Sequence, residues 1–183
     1  MSPSHPSQVY VAHALDRAAH RRRDAAWLAQ ARNDPATRVI FLSGLLVPAL
    51  GPDEMPALHA PALAELGRAI PSDSIFLGER DGVAWFACDA GEDGPIAGRM
   101  VELRSIGLLL PADDAATAAY ARALLHWHRG HRFCGHCGSA TAPTQAGHAR
   151  QCEACGCESF PRMDPAVIVL VTHGDQCLLG RSP

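Results

Sequence analysis

Hydrophobic positions recur at helical spacing in two long stretches of the chain. Residues His13–Asn33 and Asp113 to about Arg129 each place apolar side chains on one helical face, so both stretches predict helices. Asn33-Asp34-Pro35 ends the first helix, because a residue before proline is driven away from helical angles. Asp113-Asp114 can cap the second helix, and a shorter helix is predicted around Pro61 to Ala69.

Shorter apolar runs, bounded by Gly, Pro and Asp, predict β-strands. The predicted strands are Arg38–Leu42, Leu45–Val47, Ser74–Arg80 and Val83–Cys88. Asp81-Gly82 separates the last two and is a strong hairpin signal, since both turn residues must reach positive φ. Near the end of the chain, the pattern predicts a buried strand (Ala166–Val171), a turn (Thr172–Gln176) and the start of another strand (Cys177–Leu179). The order of elements indicates an α+β fold.

Composition indicates an ordinary globular chain. The 183 residues carry a formal net charge of −3, so bulk charge does not hold this protein on nucleic acid. The run Arg21-Arg22-Arg23 is interpreted as a solvated helix face. The N-terminus has no signal-peptide pattern, and no stretch approaches the ~20 apolar residues of a membrane span. We therefore expect a cytoplasmic protein that does not bind membranes.

Four of the seven cysteines form two pairs with metal-ligand spacing. Cys134 and Cys137 make the first Cys-x-x-Cys pair, Cys152 and Cys155 make the second, and fourteen residues lie between the pairs. Each pair is followed by a glycine, which allows the positive φ that brings backbone amides towards the sulfurs. Four thiolates form a closed tetrahedral shell around Zn²⁺, so the pattern predicts a structural zinc ribbon without an open catalytic position. Such a small unit depends on its metal, and we expect zinc removal to unfold residues 131–160 while the N-terminal domain stays largely intact.

Other assignments of the cysteines and histidines stay open at this point. Disulfides require an oxidising compartment that nothing in the sequence indicates, and an iron–sulfur cluster can also use four cysteines. Cys157 is interpreted as a bystander that can ligate if Cys155 is lost, and His136 and His148 as possible substitute ligands. The remaining cysteines, Cys88 and Cys177, are expected to be small buried hydrophobic residues.

Several motifs in this order resemble one protein family. The segment "ALLHWHRGHRFCGHCG", the second Cys pair and "FPRMDPAVIVLV" followed by "GDQCLLGR" are similar to the zinc-containing NADH pyrophosphatases, or NAD(+) diphosphatases, of the Nudix superfamily. The resemblance starts at the N-terminal "LDRAAHRRRD" and covers nearly the whole chain. It implies three parts: an N-terminal Nudix-like α+β domain (1–129), a zinc ribbon (130–160) and the start of a catalytic Nudix domain (161–183).

The resemblance also implies an activity, cofactors and site residues. The family hydrolyses the pyrophosphate of NADH or NAD(+) to AMP and nicotinamide mononucleotide, can remove NAD caps from RNA, needs Mg²⁺ or Mn²⁺, and forms homodimers. By the same resemblance, Cys134, Cys137, Cys152 and Cys155 match the zinc ligands. Phe160 stands where the family usually has a tyrosine near the dinucleotide, and its ring can stack on a base or seat the ribbon on the next domain. Arg162 and Asp164 are expected to form a linker ion pair, with a role in the substrate site as the alternative.

The catalytic signature of the superfamily is missing from these 183 residues. The Nudix box has the form G-x5-E-x7-R-E-x-x-E-E-x-G, whereas this sequence has no Arg-Glu step and no adjacent Glu pair. No residue is therefore predicted to be catalytic. We expect the chain to be truncated before the box and inactive by itself. The alternative is a non-catalytic zinc-ribbon adaptor module, for which arginines interleaved with aromatic residues near the ribbon give sparse support.

Overall fold

A computed structural model of the chain describes residues 10, 15–53, 55–91, 97–162, 164 and 167–180. Within these ranges the α-helices are α1 (Ala25–Ala31), α2 (Leu63–Leu66), α3 (Leu103–Ile106) and α4 (Ala112–Gly130). Two 3₁₀ turns span Ala19–Arg23 and Gln145–Gly147. The strands are β1 (Arg38–Leu42), β2 (Leu46–Leu50), β3 (Ala57–Leu58), β4 (Ile75–Arg80), β5 (Val83–Asp89), β6 (Arg99–Glu102), β7 (Thr141–Thr144), β8 (Ala149–Cys152), β9 (Glu158–Ser159), β10 (Thr172–His173) and β11 (Gln176–Cys177). The predicted α+β class is confirmed.

The central sheet of the N-terminal part has the strand order β1-β5-β4. β5 pairs in parallel with β1 and antiparallel with β4, through the predicted turn at Asp81-Gly82, where φ is 53° and 76°. Alternate residues of β1 enter opposite cores: Val39 and Phe41 face one, and Ile40 and Leu42 face the other. Both faces of this sheet are therefore buried, which explains its nearly continuous apolar strands.

A second sheet, β3-β2-β6, and the long helix α4 cover one face of the central sheet. Towards this core, α4 presents three alanines, Ala115, Ala118 and Ala121, before Leu124. Alanine at these positions lets the helix backbone approach the sheets closely. The predicted strand Leu45–Val47 is longer in the structure because β2 continues to Leu50, and β3, β6 and α3 were not predicted.

The prediction of one N-terminal helix over His13–Asn33 is wrong in the described residues. Ala18 has a left-handed backbone, and the 3₁₀ turn that follows it ends at Arg23, with Asp24 as its C-cap. The Asp24 side chain accepts a hydrogen bond from the Trp27 amide and so starts α1. The predicted stop before Pro35 is confirmed, since α1 ends at Ala31.

The capping prediction for the long helix is also wrong. Pro111 is the N-cap of α4 and makes no side-chain capping bond, so Asp113 and Asp114 lie inside the first turn. Asp114 instead accepts a hydrogen bond from the Leu58 amide at 3.2 Å and lies 3.9 Å from Arg80. The Asp114 carboxylate therefore contacts residues outside α4 and does not cap the helix.

The C-terminal segment differs from its prediction. Residues 167–171 are exposed and form no strand, and Cys177 is exposed instead of buried. The turn is shorter than expected, because β10 and β11 pair directly around residues 174–175. Ala166 lies outside the described residues. The apolar side chains of 167–171 find no sheet to enter among the described residues, which is the physical reason for their exposure.

In the described part of the chain, no helix combines the length and the apolar character that crossing a bilayer requires.

Candidate metal centre and the adjoining cavity

The predicted cysteine quartet comes together in the structure. β7, β8 and β9 form a small antiparallel sheet, and one cysteine pair lies before it and the other at the turn after β8. The side-chain sulfurs of Cys134, Cys137, Cys152 and Cys155 all lie within 4.8 Å of one another. Gly138 and Gly156, directly after each pair, have φ of 76° and 72°, as the sequence predicted. Each glycine amide donates to the carbonyl of the first cysteine of its pair, at 2.9 Å and 3.1 Å.

The separations of the sulfurs fit one tetrahedral ion. Cys137 lies 3.4 Å from Cys152 and 3.5 Å from Cys155, and Cys134 lies 3.7 Å from Cys155. A zinc ion with Zn–S bonds of about 2.3 Å places its ligands about 3.8 Å apart along each tetrahedron edge. The donor set is therefore the right one for zinc, with sulfurs slightly closer together than in a filled site.

Backbone and hydroxyl donors favour the thiolate form of two of these cysteines. The Ser139 amide and hydroxyl lower the pKa of Cys137 to about 6. The amides of Cys137 and His136 lower the pKa of Cys134. Because a metal ligand must be deprotonated, these donors favour metal binding by the first pair.

A second group of potential ligands adjoins the quartet. The ligand atoms of His136, Cys155 and Cys157 lie within 4.8 Å of one another, and all three residues are exposed. This geometry is consistent with Cys157 and His136 acting as reserve ligands next to Cys155. His148 is not part of either group: it is buried, and its Nε2 is 2.7 Å from the Phe76 carbonyl oxygen. The expectation that His148 can substitute as a ligand is therefore wrong in this arrangement.

The ribbon packs closely against the N-terminal part of the chain. Gly147 lies against Ile75 of β4 so tightly that a Cβ at this glycine would come within 2.9 Å of the isoleucine side chain. Its carbonyl oxygen accepts a hydrogen bond from His128 Nε2 at 2.8 Å. Arg150 lies 2.8 Å from the other ring nitrogen of His128 and also donates to Thr141. These contacts make the ribbon and helix α4 one packed unit.

Burial keeps the two histidines of this junction neutral. Desolvation lowers the pKa of His148 to about 4, against a smaller opposing effect of its bond to the Phe76 carbonyl. Desolvation likewise lowers the pKa of His128, with the bond to Gly147 opposing it. A neutral His128 can donate to Gly147 through Nε2 and accept from Arg150 through Nδ1, which satisfies both neighbours.

A cavity of about 770 Å³ lies where helix α4, the N-terminal segment and the end of the ribbon meet. Phe160 lines it and is half-exposed. Arg162 lines the same cavity and donates to Asp164 at 3.1 Å, so the expected linker ion pair is confirmed. The structure thus places Phe160 in the lining of an open space that includes none of the four cysteines.

Two arginines of this cavity, Arg17 and Arg22, were not identified from the sequence. Arg22 belongs to the run interpreted as a solvated face, yet it is half-buried and lines the cavity together with Arg17. Only Arg23 of the run is fully exposed, while Arg21 lies over the Trp27 ring at 4.9 Å. No sequence signal links Arg17 and Arg22 to Tyr120, because about a hundred residues separate them.

Comparison with known proteins identifies the domains around this centre. Residues 43–127 match the model of the NADH pyrophosphatase-like rudimentary Nudix domain, and residues 129–160 match that of the NADH pyrophosphatase zinc ribbon domain. Together the two matches cover more than half of the chain. The chain belongs to the NADH pyrophosphatase family of Nudix proteins.

Individual relatives of this Nudix family agree. The chain is 42% identical over 139 residues to Nudix hydrolase 19, chloroplastic, of Arabidopsis thaliana, covering 65% of this chain and 32% of that protein. It is 38% identical over 143 residues to the NAD-capped RNA hydrolase NudC of Stutzerimonas stutzeri, covering 77% and 47%. It is 35% identical over 125 residues to the mitochondrial NAD(P)H pyrophosphatase NUDT13 of Homo sapiens, covering 60% and 36%. The matched regions thus make up about a third to a half of these relatives.

Proposed function

We propose that this chain is the N-terminal and zinc-ribbon part of a diphosphatase. The enzyme would hydrolyse the pyrophosphate of NADH or NAD(+) to AMP and nicotinamide mononucleotide, and would also remove NAD caps from RNA. The observation that carries the proposal is the pair of adjacent domain matches, both to NADH pyrophosphatases, around the four-cysteine cluster. The names of the bacterial and human relatives support the same substrate class.

In this proposal the zinc is structural. Cys134, Cys137, Cys152 and Cys155 would hold the ion in a closed shell of four sulfurs, which leaves no position for water or substrate. The ion would supply no chemistry to the reaction. Its role would be to fix the two cysteine turns, and thereby the β7–β9 sheet that packs on helix α4.

The chemistry of the proposed enzyme requires residues that this sequence does not contain. Pyrophosphate hydrolysis in the superfamily uses a glutamate-rich box that binds Mg²⁺ or Mn²⁺, and the 183 residues have no Arg-Glu step and no adjacent Glu pair. We propose the division 1–129, 130–160 and 161–183, with the last part belonging to the catalytic Nudix domain. We also propose a homodimeric protein in the cytoplasm that does not bind membranes.

Phe160 is the residue of this chain that we assign to substrate binding. Its exposed ring, at the edge of the cavity and directly after β9, is free to stack on the nicotinamide or the adenine of the dinucleotide. The adjacent Arg162–Asp164 ion pair would hold the chain in place behind it. This assignment concerns the complete enzyme.

The test is an assay of two proteins in parallel. One protein is the product of the native reading frame that contains these residues, and the other is the polypeptide 1–183. Each is incubated with NADH and Mg²⁺ or Mn²⁺. HPLC then measures AMP and reduced nicotinamide mononucleotide. We expect turnover by the former and none above background by 1–183.

Two results would contradict the proposal in different ways. Turnover by 1–183 that persists in a Cys134→Ser/Cys155→Ser variant would place the active site in the N-terminal part. A native product that cleaves neither NADH nor NAD-capped RNA, yet retains a specific partner through the ribbon, would favour the adaptor alternative.

A further inference from the structure

The cavity beside helix α4 has an unusual distribution of charge. Arg17, Arg22 and Arg162 line it, and no aspartate or glutamate is among the described residues of its lining. Arg162 already has its partner in Asp164. Arg17 and Arg22 pair with no carboxylate in the described part of the chain. Two adjacent cations therefore face this space without a counter-charge.

The two arginines are held in place by contacts that do not neutralise them. The Arg17 guanidinium lies 3.5 Å from the centre of the Tyr120 ring, in a cation–π contact. Arg22 donates to the Arg17 carbonyl oxygen at 3.4 Å, while its buried Nε has no partner. Burial lowers the pKa of Arg22, Tyr120 raises it, and the charge of Arg17 lowers it further. An anion between the two guanidinium groups would compensate both the burial and the repulsion.

Two aromatic residues form a part of the lining that we call the aromatic side. Trp127, which is 8% exposed, and Phe160, which is 51% exposed, both line it. The Trp127 indole Nε1–H is buried and has no hydrogen-bond partner among the described residues. Flat rings next to a cationic end fit a ligand that has an aromatic ring and an anionic group. The volume lies in the range of about 300–1,000 Å³ that is typical of small-molecule sites.

We propose that this cavity binds a nucleoside monophosphate, with its phosphate at Arg17 and Arg22 and its base on the aromatic side. The site lies where helix α4, the N-terminal segment and the end of the ribbon meet, and it shares the Phe160 ring with the substrate-binding role proposed above. It would give this part of the protein a ligand of its own. The proposal rests on the proposed function for the role of Phe160, but AMP binding to 1–183 is measured without a catalytic step, so failure of one can be distinguished from failure of the other.

The experiment uses the zinc-loaded polypeptide 1–183 and isothermal titration calorimetry. AMP, adenosine and inorganic phosphate are titrated separately, up to millimolar concentration. We expect AMP to bind, and adenosine and phosphate each to bind at least about tenfold more weakly, because each lacks one half of the contacts. Equal binding of phosphate and AMP would overturn the proposal, as would no binding of AMP.

Variants locate the site. Arg17→Ala/Arg22→Ala should weaken AMP binding by about tenfold or more, whereas Arg23→Ala, an exposed neighbour in the same run, should not change it. Unchanged affinity in the double variant would refute the assignment. If that variant fails to fold, Arg22→Gln removes the charge and preserves a side-chain donor, and the same tenfold criterion applies.

A spectroscopic readout tests the aromatic side independently. In ¹H–¹⁵N spectra, AMP should shift the Trp127 indole N–H resonance, because this group gains a neighbour, while the indole resonance of Trp27, which does not line the cavity, stays in place. A shift of neither resonance at saturating AMP would place the nucleotide elsewhere and would contradict the proposal.

Discussion

Gly147 is the point where the ribbon meets the core of the N-terminal domain, and Gly147→Ala tests how strongly the two are packed. The new Cβ would lie 2.9 Å from both Ile75 Cγ atoms, and Ile75 is 1% exposed, so it cannot swing into solvent. The backbone φ of +90° adds strain for any residue with a Cβ. Left-handed strain costs about 1–2 kcal/mol and overpacking about 1–3 kcal/mol, so the expected loss is about 2–5 kcal/mol.

The matched control for this variant is Gly82→Ala. Gly82 also has a positive φ, +76°, but nothing lies within 4 Å of its Cβ position. It should therefore lose only the strain of about 1–2 kcal/mol. Urea unfolding of the zinc-loaded chain, followed by circular dichroism, measures both losses. Equal losses in the two variants would refute tight packing of the ribbon on β4. Zinc content should be unchanged in both, because neither glycine lies in a cysteine turn.

Four further predictions concern zinc, protonation and Phe160. Chelation of zinc should lower the melting temperature of the whole chain, not only that of the ribbon, because the ribbon packs on β4; calorimetry that leaves the main transition unmoved would contradict this. Cys155→Ser should retain part of its zinc and Cys155→Ser/Cys157→Ser almost none, by elemental analysis; equal zinc in both variants would exclude Cys157 as a reserve ligand. The pKa of His148 is lower in the folded than in the unfolded chain, so the free energy of unfolding should fall by up to about 3 kcal/mol between about pH 6.5 and pH 4. If urea unfolding of His148→Gln has the same pH dependence, other groups cause the loss. In the complete enzyme, Phe160→Ala should weaken substrate binding by about 1–3 kcal/mol and Phe160→Tyr only slightly, as measured from KM; an alanine variant with normal KM and a lower melting temperature would indicate a structural ring.

The structure changes the outcome that the sequence predicts for zinc removal. If the ribbon were independent of the N-terminal domain, zinc removal would unfold the ribbon alone and leave residues 1–129 largely intact. The structure places Gly147 against Ile75, and bonds His148 to the Phe76 carbonyl. The ribbon therefore covers part of the N-terminal core, and its loss would expose that core to water. For this reason we expect a shared transition.

The sequence by itself determined the features that depend on local spacing. Two Cys-x-x-Cys pairs, each followed by glycine, are sufficient to predict the four-sulfur cluster, because one tight turn brings both thiolates of a pair to the same side. Asp81-Gly82 is sufficient to predict the hairpin of β4 and β5, because both residues of such a turn need a positive φ. The long helix α4 followed from its apolar period and ends within one residue of the predicted position.

Only the tertiary structure decided where residues distant in sequence meet. The sequence pattern placed Arg22 in a solvated run, but Arg22 lines a cavity because its segment lies against α4, where Arg17 contacts the Tyr120 ring. His148 resembled a reserve ligand, and it is buried because the ribbon packs against β4. The apolar run at residues 167–171 has the pattern of a buried strand, yet burial requires a sheet to receive it. Spacing along the chain fixes local turns, whereas burial and pairing depend on which surfaces the fold brings together.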